Sequence, residues 1–189
     1  ITAWAVVSGT TQPAPGSGAW SSYKPATVTI PGGDGPKTVS AWSRDAVAII
    51  KDLHRQNPAL YDSFGAFRSS YMSLVAPDGS LDLYHGALRA RDADGKIIFD
   101  QVDYQTYDRV ITEEVKPWSY MKFPYFTALG PEAGWYKVGP LARVQNCDSI
   151  PTPLAEHERR EFVDYAGGKP QHATLAYHWA RMIEMLFAA

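Results

Sequence analysis

From Ser40 onward the apolar residues fall at helical spacing. Trp42, Ala46, Ile49, Ile50 and Leu53 share one face, Ser40 can cap the first turn, and Pro58 closes the run. The preceding stretch, residues 8–38, is dense in Gly, Pro, Ser and Thr and has no such period. It predicts loose or extended chain with a short strand at Ala26–Ile30. This divides the chain into an irregular Gly/Pro-rich segment, residues 1–40, and one body, residues 41–189.

The texture then changes to β. In SYMSLVAPDGSLDLYHGALRARDADGKIIFDQVDY, turn residues sit at Pro77-Asp78-Gly79 and Asp94-Gly95. Leu81, Leu83 and His85 alternate on one face, which points His85 inward beside leucines. After Gly86 the apolar phase slips to Leu88 and Ala90, the mark of a β-bulge. Three antiparallel strands in a meander are predicted, at 70–76, 81–91 and 96–102. YQTYDRVITEEV reads as a helix stopped by Pro117, and residues 117–140 as an irregular aromatic segment that has to be packed. Thr152 is placed to cap a helix with Pro153 at its first position and Gly167-Gly168 beyond its end. A last helix is expected from about His172. Its Leu175, Trp179, Met182, Ile183 and Leu186 form one face, and Tyr177, Ala180, Met185 and Phe187 leave little of the rest polar. The sum is an α+β chain of helices with a small antiparallel β meander.

Both ends predict a piece of something longer. The chain starts at Ile1, and the last apolar helical pattern is still running at Ala189 without a stop signal.

Composition narrows the function classes. A chain of 189 residues with net charge −2 has no basic footprint for nucleic acid or an anionic membrane, and no apolar run nears the roughly 18–20 residues of a membrane span. One cysteine, Cys147, excludes an internal disulfide and fits a reducing compartment. In VQNCDSI the thiol has neither a second cysteine nor an adjacent histidine, so it reads as a small buried residue rather than a nucleophile or ligand.

Other candidate chemistry is sparse. His54, His85, His157, His172 and His178 are scattered, with no pair of histidines at the spacing of a helical zinc site. EHERRE reads as a salt-bridged helix face. Glu113 and Glu114 point apart if helical, and Asp82 could approach Asp100 or Asp103 across the meander as a glycosidase-like pair. IPGGDGP lacks the Gly-Lys-Ser/Thr ending of a phosphate loop. In the last helix His178, Arg181 and Glu184 lie on neighbouring turns of one side; on a helix this apolar such charges have to pair, as Arg181 with Glu184 could, or face a polar cavity. Arg143, in GPLARVQN, joins them as a candidate buried polar or second-layer residue. No catalytic and no metal-ligating residue is assigned.

Several stretches carry a resemblance. MSLVAPDGSLDLYHGALRARDADGKIIFDQVDY, EEVKPWSYMKFPY, LGPEAGWYKVGPLARVQNCDSIPTPLAE and GGKPQHATLAYHWARMIEML resemble the large subunit of nickel–iron hydrogenases, in its cytoplasmic, NAD-linked bidirectional branch. The likeness runs from about Ser63 to Ala189 and more weakly through ATVTIPGG, whereas residues 1–24 match nothing in that family. The resemblance implies part of a larger, mostly helical subunit whose nickel–iron centre is held by two Cys-x-x-Cys pairs, one near each end. It implies reversible H2 oxidation coupled to NAD reduction. The partners it implies are an iron–sulfur small subunit together with NAD-reducing diaphorase subunits. Neither cysteine pair is present here and Cys147 lies outside both motifs, so this chain by itself is expected to hold no metal and to be inactive. Two rival readings are a non-enzymatic scaffold or interaction protein derived from the same region, and a carbohydrate-binding module stacking sugars on exposed aromatic rings.

Overall fold

A computed structural model describes the backbone of residues 4–5, 20–21 and 35–189, and the side chains from Ser43 onward. Strands β1 (Trp4–Ala5) and β2 (Trp20–Ser21) pair antiparallel. The strand expected at residues 26–30 lies outside the described residues.

Helix α1 runs from Gly35 to Gln56, so Ser40 lies inside it rather than at its cap. Its buried stripe is Ser43, Val47 and His54, with Ile50 and Lys51 partly covered, whereas Ile49 and Leu53 face outward. The helix is rotated from the orientation its apolar residues alone favour. The neighbouring helices supply partners for His54 and Lys51, as described below. A short helix α2 (Pro58–Ser63) follows, capped by the Asn57 side chain on the Leu60 N–H.

Strands β3 (Ser70–Val75), β4 (Ala87–Arg91) and β5 (Ile97–Val102) form the expected meander, and β8 (Tyr136–Lys137) adds a parallel edge beside β3. The sheet is therefore mixed, not purely antiparallel. The predicted strand from residue 81 begins only at Ala87. Before it, the Asp82 carboxylate accepts the Tyr84 and His85 N–H groups in a tight turn, which leaves Leu83 and His85 exposed. Gly86 instead presses on the Val75 backbone so closely that an added Cβ would lie 2.5 Å from the Val75 carbonyl oxygen. The register shift falls in the β4–β5 pairing, around Ala90.

The helix expected at residues 104–115 is absent. A 3₁₀ turn (Tyr104–Arg109) with Asp103 as its cap leads into strand β6 (Ile111–Val115), which pairs with β7 (Lys122–Phe126). Val110, Ile111, Thr112 and Val115 are β-branched and favour the pleated form once a partner strand is present. Helices α3 (Gly130–Ala133), α4 (Pro140–Asn146) and α5 (Pro153–Tyr165) follow, and α5 starts with Pro153 and ends before Gly167-Gly168 as expected. Thr152 occupies the cap position of α5 without making the side-chain bond. The last helix, α6 (Ala176–Ala188), starts four residues later than predicted. Helices α1, α4 and α5 pack on α6, and α4 also covers β3, so α6 is the hub. The core joins Val47, Tyr71, Leu141, Phe162, Trp179 and Ile183.

Candidate functional site

The polar groups inside this core are the natural place for chemistry. Glu184, on the buried side of α6, is only 9% exposed. Its carboxylate accepts a two-pronged bond from Arg143 of α4, at 2.5 Å from Nε and 2.7 Å from Nη2. The planar guanidinium suits this geometry, and the pair ties α4 to α6. Arg181 and His178 face outward, so an Arg181–Glu184 pair does not form. Arg181 and Glu184 are three residues apart, about 60° around the helix, and the edge of the buried face falls between them. Arg143 borders an open depression with Asp82, Leu83 and Val138, in which no nucleophile is aligned with a base.

A second buried node lies where β4 meets the α4 terminus. Arg89 donates to both oxygens of Asp100, at 2.8 and 2.9 Å, and to Asp148 at 2.8 Å. Arg91 reaches the other Asp148 oxygen at 2.7 Å. The Arg89 bond holds the Asp100 carboxyl below its usual range. Asp82 and Asp103 are each spent on local turns. No paired-carboxylate site arises from the aspartates, and Glu113 and Glu114 are neighbours on a strand, with Glu114 bound to Lys116.

His54 is buried against Tyr61, Tyr165 and Trp179, with ring centroids 4.3, 6.2 and 5.4 Å away. Burial lowers its pKa; the Asp62 charge and the nearby Leu175 backbone pull the other way without reaching hydrogen-bonding geometry at either ring nitrogen. Lys137 is buried without a carboxylate. Its ammonium bonds the Phe67 carbonyl at 2.6 Å and the Ser69 hydroxyl at 2.9 Å, and burial pushes it down to about 8. Sequence reasoning missed Arg89, Lys137 and the role of His54. The only signal was a charged or polar residue at an inward position of a strand or helix.

Metal binding has two candidates among the described residues. His157, Glu158 and Glu161 bring three ligand atoms within 4.8 Å of one another. The Lys51 ammonium already sits 2.9 Å from Glu158 and 2.5 Å from Glu161, which makes this an ion-pair junction between α1 and α5. Arg159 and Arg160 likewise clamp Glu156, so the EHERRE run does form a salt-bridged face. The other candidate is Cys147, which is 3% exposed. Its thiol points at the Val144 carbonyl at 3.5 Å, and burial pushes its pKa up to about 12. One buried, protonated thiol does not fit a centre that requires four thiolates.

Cys147 caps α4 and fills a small space, so Cys147→Ala should cost about 1 kcal/mol. The native thiol should react with a thiol reagent only after unfolding. Rapid stoichiometric labelling of the folded protein would contradict its burial.

No family model matches the chain. It is 42% identical over 148 residues to the NAD-reducing hydrogenase HoxS subunit beta of Cupriavidus necator, covering 78% of this chain and 30% of that protein. It is 38% identical over 149 residues to one subunit of the vhu F420-non-reducing hydrogenase of Methanocaldococcus jannaschii, with 78% and 34% covered. A chain in the crystal structure of an NAD+-reducing NiFe hydrogenase in the H2-reduced state superposes with a TM-score of 0.74 at 47% identity, over 80% of this chain and 34% of that one. The chain thus spans about a third of the length of the proteins it matches. The similarity is to hydrogenase subunits, and it corrects the resemblance drawn from sequence. The Cupriavidus relative is named a beta subunit, and one from Archaeoglobus profundus is named an iron–sulfur subunit. None of the names of these relatives designates a large catalytic subunit. The assignment to a large subunit gives way to the coarser one.

Proposed function

We propose that this chain is a structural portion of one subunit of an NAD-reducing hydrogenase, an H2:NAD oxidoreductase working reversibly. It contributes packing and assembly surfaces rather than metal ligands. The observation that carries this reading is the 47% identity and TM-score of 0.74 to a chain of an NAD+-reducing NiFe hydrogenase. The nickel–iron centre of such an enzyme would be held by thiolates outside these residues, since the one thiol here is buried and protonated. Iron–sulfur and NAD-reducing diaphorase subunits are the partners the reading requires, and the cytoplasm is its location. No helix among the described residues is long and apolar enough to cross a membrane.

The test is to isolate the assembled enzyme from its host through a tag on this chain and to measure H2-dependent NAD reduction. Co-purification of that activity with nickel and additional subunits is the expected result. A homogeneous preparation carrying neither activity nor nickel would refute the proposal.

A further inference from the structure

His54 sits where α1, α5 and α6 meet, and its polar atoms have nothing to bond. It is 1% exposed, and neither ring nitrogen has a hydrogen-bond partner; the Trp179 indole N–H beside it has none either. A buried imidazole ordinarily finds a partner, because a donor and an acceptor kept dry forfeit their hydration without a return. Three such groups in one place create a local tension that water would relieve. On one side, helix α2 keeps the water out.

α2 is lightly anchored for that task. Tyr61 is the one residue of Pro58–Ser63 that is not exposed, and its ring covers the His54 ring with centroids 4.3 Å apart. A second tie is the Tyr165 hydroxyl, which bonds the Asp62 carboxylate at 3.0 and 3.1 Å in an exposed position. Just beyond α2 the chain is pinned, where the Phe64 and Gly65 carbonyls accept the Thr174 N–H at 3.2 Å and its hydroxyl at 3.0 Å. Residues 57–63 thus form a short strap between the end of α1 and that pin. Lifting the strap loses little besides one ring contact and one exposed hydrogen bond, as expected of a segment that opens locally.

The charges around His54 set its response to a proton. α1 itself brings Lys51 and Arg55, α2 brings Asp62, α5 brings Glu161, Asp164 and Tyr165, and α6 brings His178. Lys51 is occupied by Glu158 and Glu161, and Arg55 by Asp52. Burial disfavours the charged ring most strongly; Asp62 favours it and His178 opposes it, and the closed cage holds the neutral form. With α2 lifted, the same ring is hydrated and takes up a proton in the ordinary histidine range. Below that range the open form gains up to about tenfold in population for each pH unit.

We propose that α2 is an acid-released lid over His54, closed while the ring is neutral and opened when the ring takes up a proton. The event is local: it uncovers His54 and Trp179 at the junction of α1, α5 and α6 and leaves the β3–β4 pairing intact. The lid goes beyond the hydrogenase reading and is independent of it.

The experiment is amide hydrogen exchange at pH 7.5 and 5.5 on the protein isolated through a tag on this chain, with the subunits it carries, corrected for the intrinsic pH dependence of exchange. The amides to follow are those of Leu60, Tyr61 and Phe64, whose hydrogen bonds close within the strap. Their protection should fall severalfold at the lower pH, by at most about tenfold, while β3 and β4 are unchanged. His54→Phe should abolish the fall. Tyr61→Ala leaves the histidine in place and removes its cover, so protection of α2 should be low at both pH values. A fall of less than about twofold in the unaltered protein would overturn the lid, since the coupled proton would be missing. An equal fall in β3 and β4 would overturn it by making the opening global. The same fall in His54→Phe would overturn it by assigning the proton to another group, and so would a Tyr61→Ala protein that keeps both the protection and its pH dependence. Absence of H2-dependent NAD reduction in the same preparation counts against the hydrogenase reading alone.

Discussion

Arg143→Met should cost roughly 3 kcal/mol of folding stability, because it strands the buried Glu184 carboxylate without its counter-charge. Arg143 is itself partly solvated, so the loss belongs at the lower end of what breaking a buried pair costs. Replacing both partners by methionine should recover most of it, since the desolvated charge is then gone and the space is filled by apolar side chains of similar length. Arg181→Leu should change stability by no more than about 0.5 kcal/mol, as expected of an exposed residue. Urea unfolding of the three variants decides the matter. A large loss from Arg181→Leu, or none from Arg143→Met, would place Glu184 with the wrong arginine.

Acid should destabilise the fold through its buried histidines. Burial lowers the pKa of His54, and burial likewise lowers that of His172 against Tyr71. The sign follows from which state takes up the proton. Below about pH 6.5 the unfolded chain protonates these rings while the folded one resists. Stability is therefore complete above that pH and declines as pH falls, by at most about 1.4 kcal/mol per pH unit for each histidine. Around His54, Asp62 favours the charged ring and His178 opposes it, with Lys51 and Glu161 nearby along the same pocket. His54→Phe keeps a flat ring among Tyr61, Tyr165 and Trp179 and removes the titration. It should flatten the decline between pH 7 and 5 by about half, since His172 still contributes, with little change at pH 7.5. Equal slopes in the two proteins would show that His54 is protonated freely and therefore solvated.

The apolar periodicities located five elements well, namely α1, α5, α6, β3 and β5, to within a few residues at their ends. Those segments have one dominant pattern, and local signals such as Pro153 or Gly167-Gly168 bound them. The failure at YQTYDRVITEEV has a definite cause. Ile111 to Val115 satisfy helical and extended spacing about equally, and only the pairing with Lys122–Phe126 selects the strand. His85 was misplaced because alternation was extended through residues where the Asp82 carboxylate caps a turn instead.

Sequence by itself determined the absence of a thiolate set, the mixed helix and strand content, and the likeness to hydrogenases, because these depend on which residues exist and in what order. Which side chains pair was decided only in three dimensions. Arg143 and Glu184 are 41 residues apart, and Arg89 and Asp148 are 59 apart. No local period links such positions, and the packing of α4, α5 and α1 against α6 leaves Glu184 buried, Arg181 exposed and His54 against Trp179. The exposure of Trp118 and Tyr120, at the β6–β7 tip, has the same origin. The sequence marks it as apolar, but whether it is covered depends on what the folded chain can reach.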